Sequence, residues 1–360
     1  MRVAEYFAGI GLARLGLESA GLKVTWSNDM SPRKKAMYSA RFGPDAHYHL
    51  EDVTQLSAET DPQAVDVAWA SFPCTDLSLA GGRGGLNAGA SAAFWGFIGS
   101  LRRMGDQRPP VVALENVLGL ATSHGGEDIL EAVRALNGLG YSVDVLRIDA
   151  SQFVPQSRAR LFLIGDRSPG EHEQSSHLFR PTSLDWLYDA PGLNMHRYSL
   201  PPAPAVGHDG FDSLVHSLSE TDHVWWDADR TNAFVSSLTD VQLNRLNDMR
   251  AQPRAVHRTA YRRMRQGVPR WELRADEIAG CLRTARGGSS RQAVVRAGRG
   301  TVAVRWMTTT EYAALMGANG YRTAEMTAAD AQWGFGDAVC VPVVEWLAIN
   351  VIRPRLANRT

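Results

Sequence analysis

A cysteine directly after a proline is the first group in this chain that could do chemistry. Cys74 sits in Ser71-Phe72-Pro73-Cys74-Thr75-Asp76-Leu77-Ser78, after the apolar run Val65 to Trp69 and ahead of Gly81-Gly82-Arg83-Gly84-Gly85. A thiol at a strand end under a glycine-rich loop is a candidate nucleophile, and such a loop could close over a substrate. The bland alternative is a small buried hydrophobe, the usual fate of a free cysteine. Farther on, Leu114-Glu115-Asn116-Val117 ends another apolar run, and Glu115 could hold a proton for general acid work or sit in a structural ion pair. Gln156-Ser157-Arg158-Ala159-Arg160 leads into a strand, where alternate arginines on one face could reach one site or form a basic edge.

A second group of residues has the pattern of a small-molecule site. Phe7-Ala8-Gly9-Ile10-Gly11 lies between a strand and an amphipathic helix, where glycines let the backbone approach a ligand ahead of a helix N-terminus. Asp29 follows about 20 residues on, the position of a ribose-binding acid in dinucleotide folds. A cap before Pro32 would account for it equally. In Glu51-Asp52-Val53, Asp52 could accept from an adenine amino group or simply form a turn. There is no phosphate-binding lysine and no complete Gly-x-Gly-x-x-Gly, so the ligand need not carry phosphates.

The elements that must position these groups alternate in type, as in an α/β fold with a parallel sheet. Strands are expected at Arg2–Phe7, Leu22–Asn28, Val65–Ser71, Pro110–Leu114, Tyr141–Ile148 and Arg160–Ile164, with helices at Leu12–Ala20, Pro32–Phe42, Ala92–Met104 and Gly126–Leu139. Gly140 reads as a helix terminator. From about Asp166 to Gly210 proline, serine, histidine and aspartate dominate, which reads as a linker or an irregular entry. Periodicity is poor from Asp209 to Thr301. A helix returns at Thr308–Met316, with Glu311 spaced from Thr308 as in a capping box, and a last apolar helix is expected from about Ala338 to Ile352.

The 360 residues suffice for one large or two ordinary domains, and 44% hydrophobic with 21% charged residues is an ordinary globular composition. No apolar run is expected to span a membrane, and the start reads as a strand rather than a signal peptide. Cys74, Cys281 and Cys340 are too few and scattered for a disulfide framework or a zinc site, so no metal and a reducing, cytoplasmic setting are expected. Net charge is zero, but its distribution is uneven: thirteen arginines stand against three acids between Arg254 and Arg305. That segment has the footprint of a phosphate-binding surface, or of an ordinary solvated face in a chain that favours arginine.

Taken in order, these motifs resemble the cytosine-5 DNA methyltransferases. The resemblance covers about the first 165 residues and the last 55, and is carried by Phe7 to Gly11, Pro73-Cys74, Glu115-Asn116-Val117 and Gln156 to Arg160. It continues in Arg305-Trp306-Met307-Thr308 with Glu311 and in Gly334-Phe335-Gly336-Asp337-Ala338-Val339. It implies a Rossmann-like mixed α/β sheet of the class I methyltransferase type with a smaller irregular target-recognition domain. The expected division is 1–170 for catalysis and cofactor binding, 171–304 for target recognition, and 305–360 returning to the catalytic domain.

The same resemblance implies S-adenosylmethionine as cofactor, double-stranded DNA as partner, and a cytosine flipped from the duplex. Cys74 would attack carbon 6, Glu115 would bond or protonate nitrogen 3, and Arg158 and Arg160 would hold the base carbonyl and the cysteine side of the site. Phe7, Gly9, Gly11, Asp29, Asp52, Val53, Pro73, Asp337 and Val339 would contact the cofactor, and Ser78 a phosphate beside the flipped base. Arg283, Arg286 and Arg291, around Thr284-Ala285-Arg286-Gly287-Gly288-Ser289-Ser290-Arg291, are candidates for guanine contacts, though phosphates would occupy them as readily. The chain departs from the family pattern at Gly89 to Trp95, which lacks an arginine, at Asp337 in place of asparagine, and at Thr310 in place of arginine. A bacterial or phage enzyme is expected, acting as a monomer without an obligate protein partner or membrane, and related to restriction-modification systems. An RNA methyltransferase and a decayed DNA-binding homologue are the alternatives. A nicotinamide dehydrogenase explains Asp29 but not Cys74 or the arginine pair.

Overall fold

The computed structural model describes residues 1–44, 47–73, 93–170, 173–174, 176–215, 218, 222–284 and 291–357. Cys74, Ser78, the glycine loop 81–85 and Arg286 lie outside the described residues. Contacts divide the chain into two compact units: Met1–Asp149 with Ala159–Pro204 and Ala338–Thr360, and Ala150–Arg158 with Ala205–Asp337. These bounds differ from the expected 1–170, 171–304 and 305–360. Residues 171–204 stay with the first unit because they bond along its last strand: Val143 N–H donates to the Asn194 carbonyl, and Arg180 pairs with buried Asp144.

The first unit is built from β1 (Arg2–Tyr6), α1 (Leu12–Ser19), β2 (Lys23–Asp29), α2 (Pro32–Phe42), β3 (Tyr48–Leu50), β4 (Val67–Ser71), α3 (Ala93–Arg103), β5 (Val111–Val117), α4 (Glu127–Asn137), β6 (Ser142–Asp149), β7 (Ala159–Asp166) and α5 (Asp185–Tyr188). Its strands form one seven-stranded sheet ordered β3-β2-β1-β4-β5-β7-β6. The first five are parallel, and β7 runs antiparallel between β5 and β6. Val111 to Leu114 are fully buried without alternation, as strands covered on both faces must be. The local signals explain the helices. Ser31 caps α2 through its side chain, Pro32 takes the first turn, and Gly43 at φ 85 ends it. Helix α4 stops at Asn137, three residues before the expected terminator Gly140.

The second unit overturns the expectation of an irregular module. It holds α6 (Ala228–Ser236), α7 (Asp240–Arg250), β8 (Val256–Arg265), β9 (Val268–Leu273), β10 (Gln292–Gly298), β11 (Thr301–Trp306), α8 (Thr309–Leu315) and α9 (Ala328–Asp337). The strands form an antiparallel sheet ordered β11-β10-β8-β9. Two tight hairpins fix its register. Gln266-Gly267 and Arg299-Gly300 each place both turn residues at positive φ, the mirror-image turn that matches strand twist. Its core is Phe234, Leu246, Met249, Ala260, Leu273, Val295 and Val304, edged by Trp226, Trp271 and Trp306. The capping box at Thr308 and Glu311 forms as expected.

The expected last helix is broken differently. In the first unit α10 (Val341–Leu347) runs into a wider turn over Ala348–Ile352. Helix α1 packs on α10 through Gly16, where a Cβ would stand 2.7 Å from the Val341 carbonyl oxygen. The stretch Ala328–Ala357 matches a membrane span by length and composition, against the expectation that no run would. Most of it is buried in the protein, and it is interrupted at Ala338–Cys340.

Candidate active site

The order of the first sheet reverses between β1 and β4, and open α/β sheets bind ligands outside the carboxyl ends of their strands at such a point. Phe7 to Gly11 leave β1 there, Asp29 and Met30 leave β2, Asp52 follows β3, Pro73 follows β4, and Glu115 to Val117 end β5.

The turn after β1 is shaped by positive φ at Phe7, Gly9 and Gly11. The two glycines answer different needs. A Cβ on Gly11 would fall 2.4 Å from the Phe42 ring and 2.9 Å from Tyr38, so Gly11 is required by packing within the protein. At Gly9 the nearest atom among the described residues is the Phe7 carbonyl oxygen at 3.9 Å, so nothing in its own packing requires the missing side chain, and the bare backbone is free to meet a ligand. Asp29 is buried, and its two oxygens accept from Gly9 N–H and Ser31 N–H at 2.9 Å each. It therefore ties the turn after β1 to the end of β2. Asn28 does the same for β3, donating to the Glu51 carbonyl at 2.7 Å. Asp52 Oδ1 accepts from Thr54 N–H and hydroxyl at 2.9 and 2.8 Å. Beneath it buried Val53 meets α3 at Gly96, where a Cβ would stand 2.8 Å from Val53 Cγ1.

Two neighbouring residues carry no signal in the sequence. Met30, beside Asp29, is a large apolar side chain left 67% exposed at a strand end. Glu5 in β1 is buried and accepts from Arg14 N–H at 3.1 Å, capping α1, whose own cap residue Gly11 has no side chain. Burial pushes the Glu5 carboxyl up to about 8.

On the β5 side, Arg160 Nε lies 3.0 Å from Glu115 Oε1, both side chains largely buried. Register explains the pair: Val117 is opposite Arg160 and Glu115 is opposite Phe162, so the two are diagonal neighbours on one face. Between them in sequence, Asn116 turns the other way and donates to the Phe72 carbonyl at 3.1 Å. That bond fixes the chain just before Pro73 and is a third contribution that sequence spacing did not reveal.

Arg158 is placed differently from Arg160. Strand β7 begins at Ala159, and Arg158 belongs to the second unit, where it is buried and donates to the Leu282 carbonyl at 2.9 Å and the Gly336 carbonyl at 3.1 Å. The two arginines are therefore not presented on one strand face. In the first unit Val339 is buried, and in the second Asp337 is exposed. Arg283 is exposed, while Arg291 is half-buried with its guanidinium 4.5 Å over the Trp306 ring. The three acids of the arginine-rich segment all pair, Glu277 with Arg258, Glu272 with Arg263 and Arg265, and Asp276 with Arg274. Arg254, Arg262, Arg270, Arg283 and Arg299 remain exposed, with no ion pair among the described residues. No cluster able to hold a metal ion occurs among the described residues.

The family model for C-5 cytosine-specific DNA methylases matches residues 1–353. The type II methyltransferase M.Bsp6I of Bacillus sp. (strain RFL6) is 29% identical over 187 residues, 51% of this chain and 58% of the relative. The type II methyltransferase M.HhaI of Haemophilus parahaemolyticus is 32% identical over 166 residues, 46% of this chain and 48% of the relative. The chain thus spans about half the length of the curated relatives it matches. The crystal structure of the S. pombe Dnmt2 methyltransferase superposes with a TM-score of 0.60 at 16% identity, covering 98% of this chain and 99% of that one, a likeness of fold.

Proposed function

Since the chain belongs to the C-5 cytosine-specific DNA methylase family, we propose that it transfers a methyl group to carbon 5 of cytosine in a short sequence of double-stranded DNA. The observation that carries this reading is the buried Glu115–Arg160 pair beside Asn116, which anchors the chain leading into Pro73-Cys74. Cytosine carbon 5 is a weak nucleophile and is shielded in the stack, so the base must leave the duplex.

The residues after β1 to β4 fit S-adenosylmethionine: bare backbone at Gly9, carboxylates at Asp29 and Asp52, exposed apolar cover at Met30, and no phosphate-binding lysine. When bound, that cofactor supplies an electrophilic methyl group. Phe7, Gly9, Val53 and Pro73 would line its place, Gly11 would shape the turn from behind, and Asp337 and Val339 would border the methionine end.

In this reading the Cys74 thiolate adds to carbon 6, forming a sulfur–carbon bond and moving an electron pair toward carbon 5. Glu115 holds a proton and donates it to the ring at nitrogen 3, offsetting the charge that develops there. Arg160 orients the Glu115 carboxyl and reaches toward the base carbonyl. Arg158 is bonded to two backbone carbonyls of its own unit and fixes those segments. After carbon 5 is methylated, solvent water takes its proton, the freed electron pair re-forms the carbon 5–carbon 6 double bond, and the sulfur leaves as the Cys74 thiolate. Ser78 takes a phosphate beside the flipped base. The unpaired arginines of the second unit, with Arg286 and Arg291, face DNA. The enzyme works in the bacterial cytoplasm as a monomer, beside or derived from a restriction-modification system.

The test is a covalent trap. Duplex DNA containing 5-fluorocytosine, incubated with the protein and S-adenosylmethionine, should give a mass-shifted adduct that disappears in Cys74→Ser. An adduct with RNA alone would overturn the DNA substrate, and no adduct or methyl transfer with DNA or RNA would overturn the enzyme reading.

A further inference from the structure

Residues 279–284 carry no regular secondary structure, yet they are held more firmly than a loop needs. The stretch Pro155 to Arg158 lies alongside them. Ala279 N–H donates to the Pro155 carbonyl at 2.8 Å, and Ser157 N–H to the Ala279 carbonyl at 2.9 Å. Gln156 is fully buried. Its Oε1 accepts from Leu282 N–H at 3.0 Å, and its Nε2 donates to the Leu315 carbonyl at the end of α8 at 2.7 Å. Arg158 Nη1 donates to the Leu282 carbonyl at 2.9 Å. Both peptide groups of Leu282 are thus taken by side chains two residues apart in sequence. One residue on, the Arg283–Thr284 peptide passes so close to Gly336 that a Cβ there would stand 2.6 Å from the Arg283 carbonyl carbon.

Fixing an irregular backbone costs about 1–2 kcal/mol per residue in conformational entropy. Three independent restraints on four residues therefore need a reason beyond connection. Their common product is the placement of one side chain: Leu282 is buried, and Arg283 next to it is exposed and without an ion pair among the described residues.

We propose that Gln156, assisted by Arg158, is a specificity-positioning residue that sets the register of Leu282 so that Arg283 meets one base step of the duplex. This rests on the reading that Arg283 contacts DNA bases. Bidentate arginine recognition of guanine needs a fixed fork. An Arg283 on a loosened backbone still reaches phosphates, which bind without specifying sequence. Loss of the clamp therefore relaxes sequence choice before it slows methyl transfer.

The experiment compares wild type, Gln156→Met, Arg283→Ala and the double variant on unmethylated plasmid DNA, with bisulfite sequencing of the product. Methionine keeps the length of glutamine and removes both amide bonds. The expected result is that Gln156→Met raises the share of methylated cytosines outside the wild-type sequence about tenfold, the scale of one lost buried hydrogen bond. On wild-type sites KM for DNA should rise while kcat stays within about threefold. The broadening should be no greater in the double variant than in Arg283→Ala, because both act through one group. If Arg283→Ala broadens the profile while Gln156→Met leaves it unchanged, the clamp is wrong and base reading by Arg283 stands. If Arg283→Ala itself changes nothing, that reading falls and takes the clamp with it. A Gln156→Met that lowers kcat without broadening assigns Gln156 to structure or catalysis and also overturns the proposal. Should Gln156→Met fail to fold, Gln156→Asn loosens the same two bonds while keeping an amide, and the same outcomes decide.

Discussion

Asn116→Ala should separate the placement of the nucleophile from cofactor binding. The substitution removes an amide that donates to the buried Phe72 carbonyl at 3.1 Å and accepts from Val117 N–H at 2.8 Å. Each buried group left unsatisfied costs about 1–3 kcal/mol. The bond to the Phe72 carbonyl is buried and the one from Val117 N–H part-buried, so a loss of about 2–3 kcal/mol in stability is expected. The larger effect falls on reaction. Phe72 lies two residues before Cys74, and a misplacement of about 1 Å at a reacting group can cost about 100-fold. Adduct formation on a 5-fluorocytosine duplex should slow by about that factor. Affinity for S-adenosylhomocysteine, measured by calorimetry, should change less than about threefold, because Gly9, Asp29 and Asp52 are held by bonds that do not involve Asn116. Asn116→Asp keeps the size and the acceptor but removes the donor, and should resemble alanine. A folded Asn116→Ala protein that forms the adduct at the wild-type rate would refute the reasoning.

Met30→Ala removes the apolar cover at the end of β2 and should weaken S-adenosylhomocysteine binding about tenfold, from about 1–2 kcal/mol of lost burial; an unchanged calorimetric Kd sinks the assignment. Asp337→Asn should leave methyl transfer intact, and a folded but inactive protein would contradict that. Glu5 sits at about 8, above its usual range, so the folded state holds an extra proton and stability declines as pH rises from about 4.5 toward 8. Glu5→Gln keeps the acceptor for Arg14 N–H without titrating, so its melting temperature should fall less than that of wild type between pH 5 and 8; parallel curves would exclude the effect. Glu311→Gln leaves the fully buried Arg305 without its carboxylate partner, and should destabilise by about 3–5 kcal/mol in denaturant titration; a change under about 1 kcal/mol would mean the pair is not structural.

What could be read ahead of the structure follows from how local each signal is. Strands β1, β2 and β4 to β7 and helices α1 to α4 fall within a few residues of expectation, because apolar runs, Ser31-Pro32 and Gly43 act on their own neighbours. β3 is only three residues long, too short for any period to register. The second sheet leaves little trace in the sequence because its turns, Gln266-Gly267 and Arg299-Gly300, lack the usual asparagine or aspartate, and because β8 carries arginines at four of its ten positions. Among the candidate site residues, Cys74, Glu115 and Asp29 stand out by residue type, and Cys74 lies outside the described residues. Asn116 and Glu5 did not, since their roles consist of bonds to Phe72 and Arg14 on other elements, which no spacing encodes.

The two arginines carry that lesson further. Arg158 and Arg160 look like one device, since alternate positions of a strand share a face. The inference fails because the strand starts between them, at Ala159. Arg160 then obeys the sheet and meets Glu115 across the β5–β7 register. Arg158 obeys the irregular stretch before the sheet and meets Leu282 and Gly336. A short motif can thus hold two separate functions when an element boundary divides it. Gln156 lies on the same side of that boundary as Arg158 and shares its target, Leu282. Substitutions at Gln156 and Arg158 should therefore resemble each other in their effect on sequence choice, and both should differ from substitutions at Arg160, which release the Glu115 carboxyl instead.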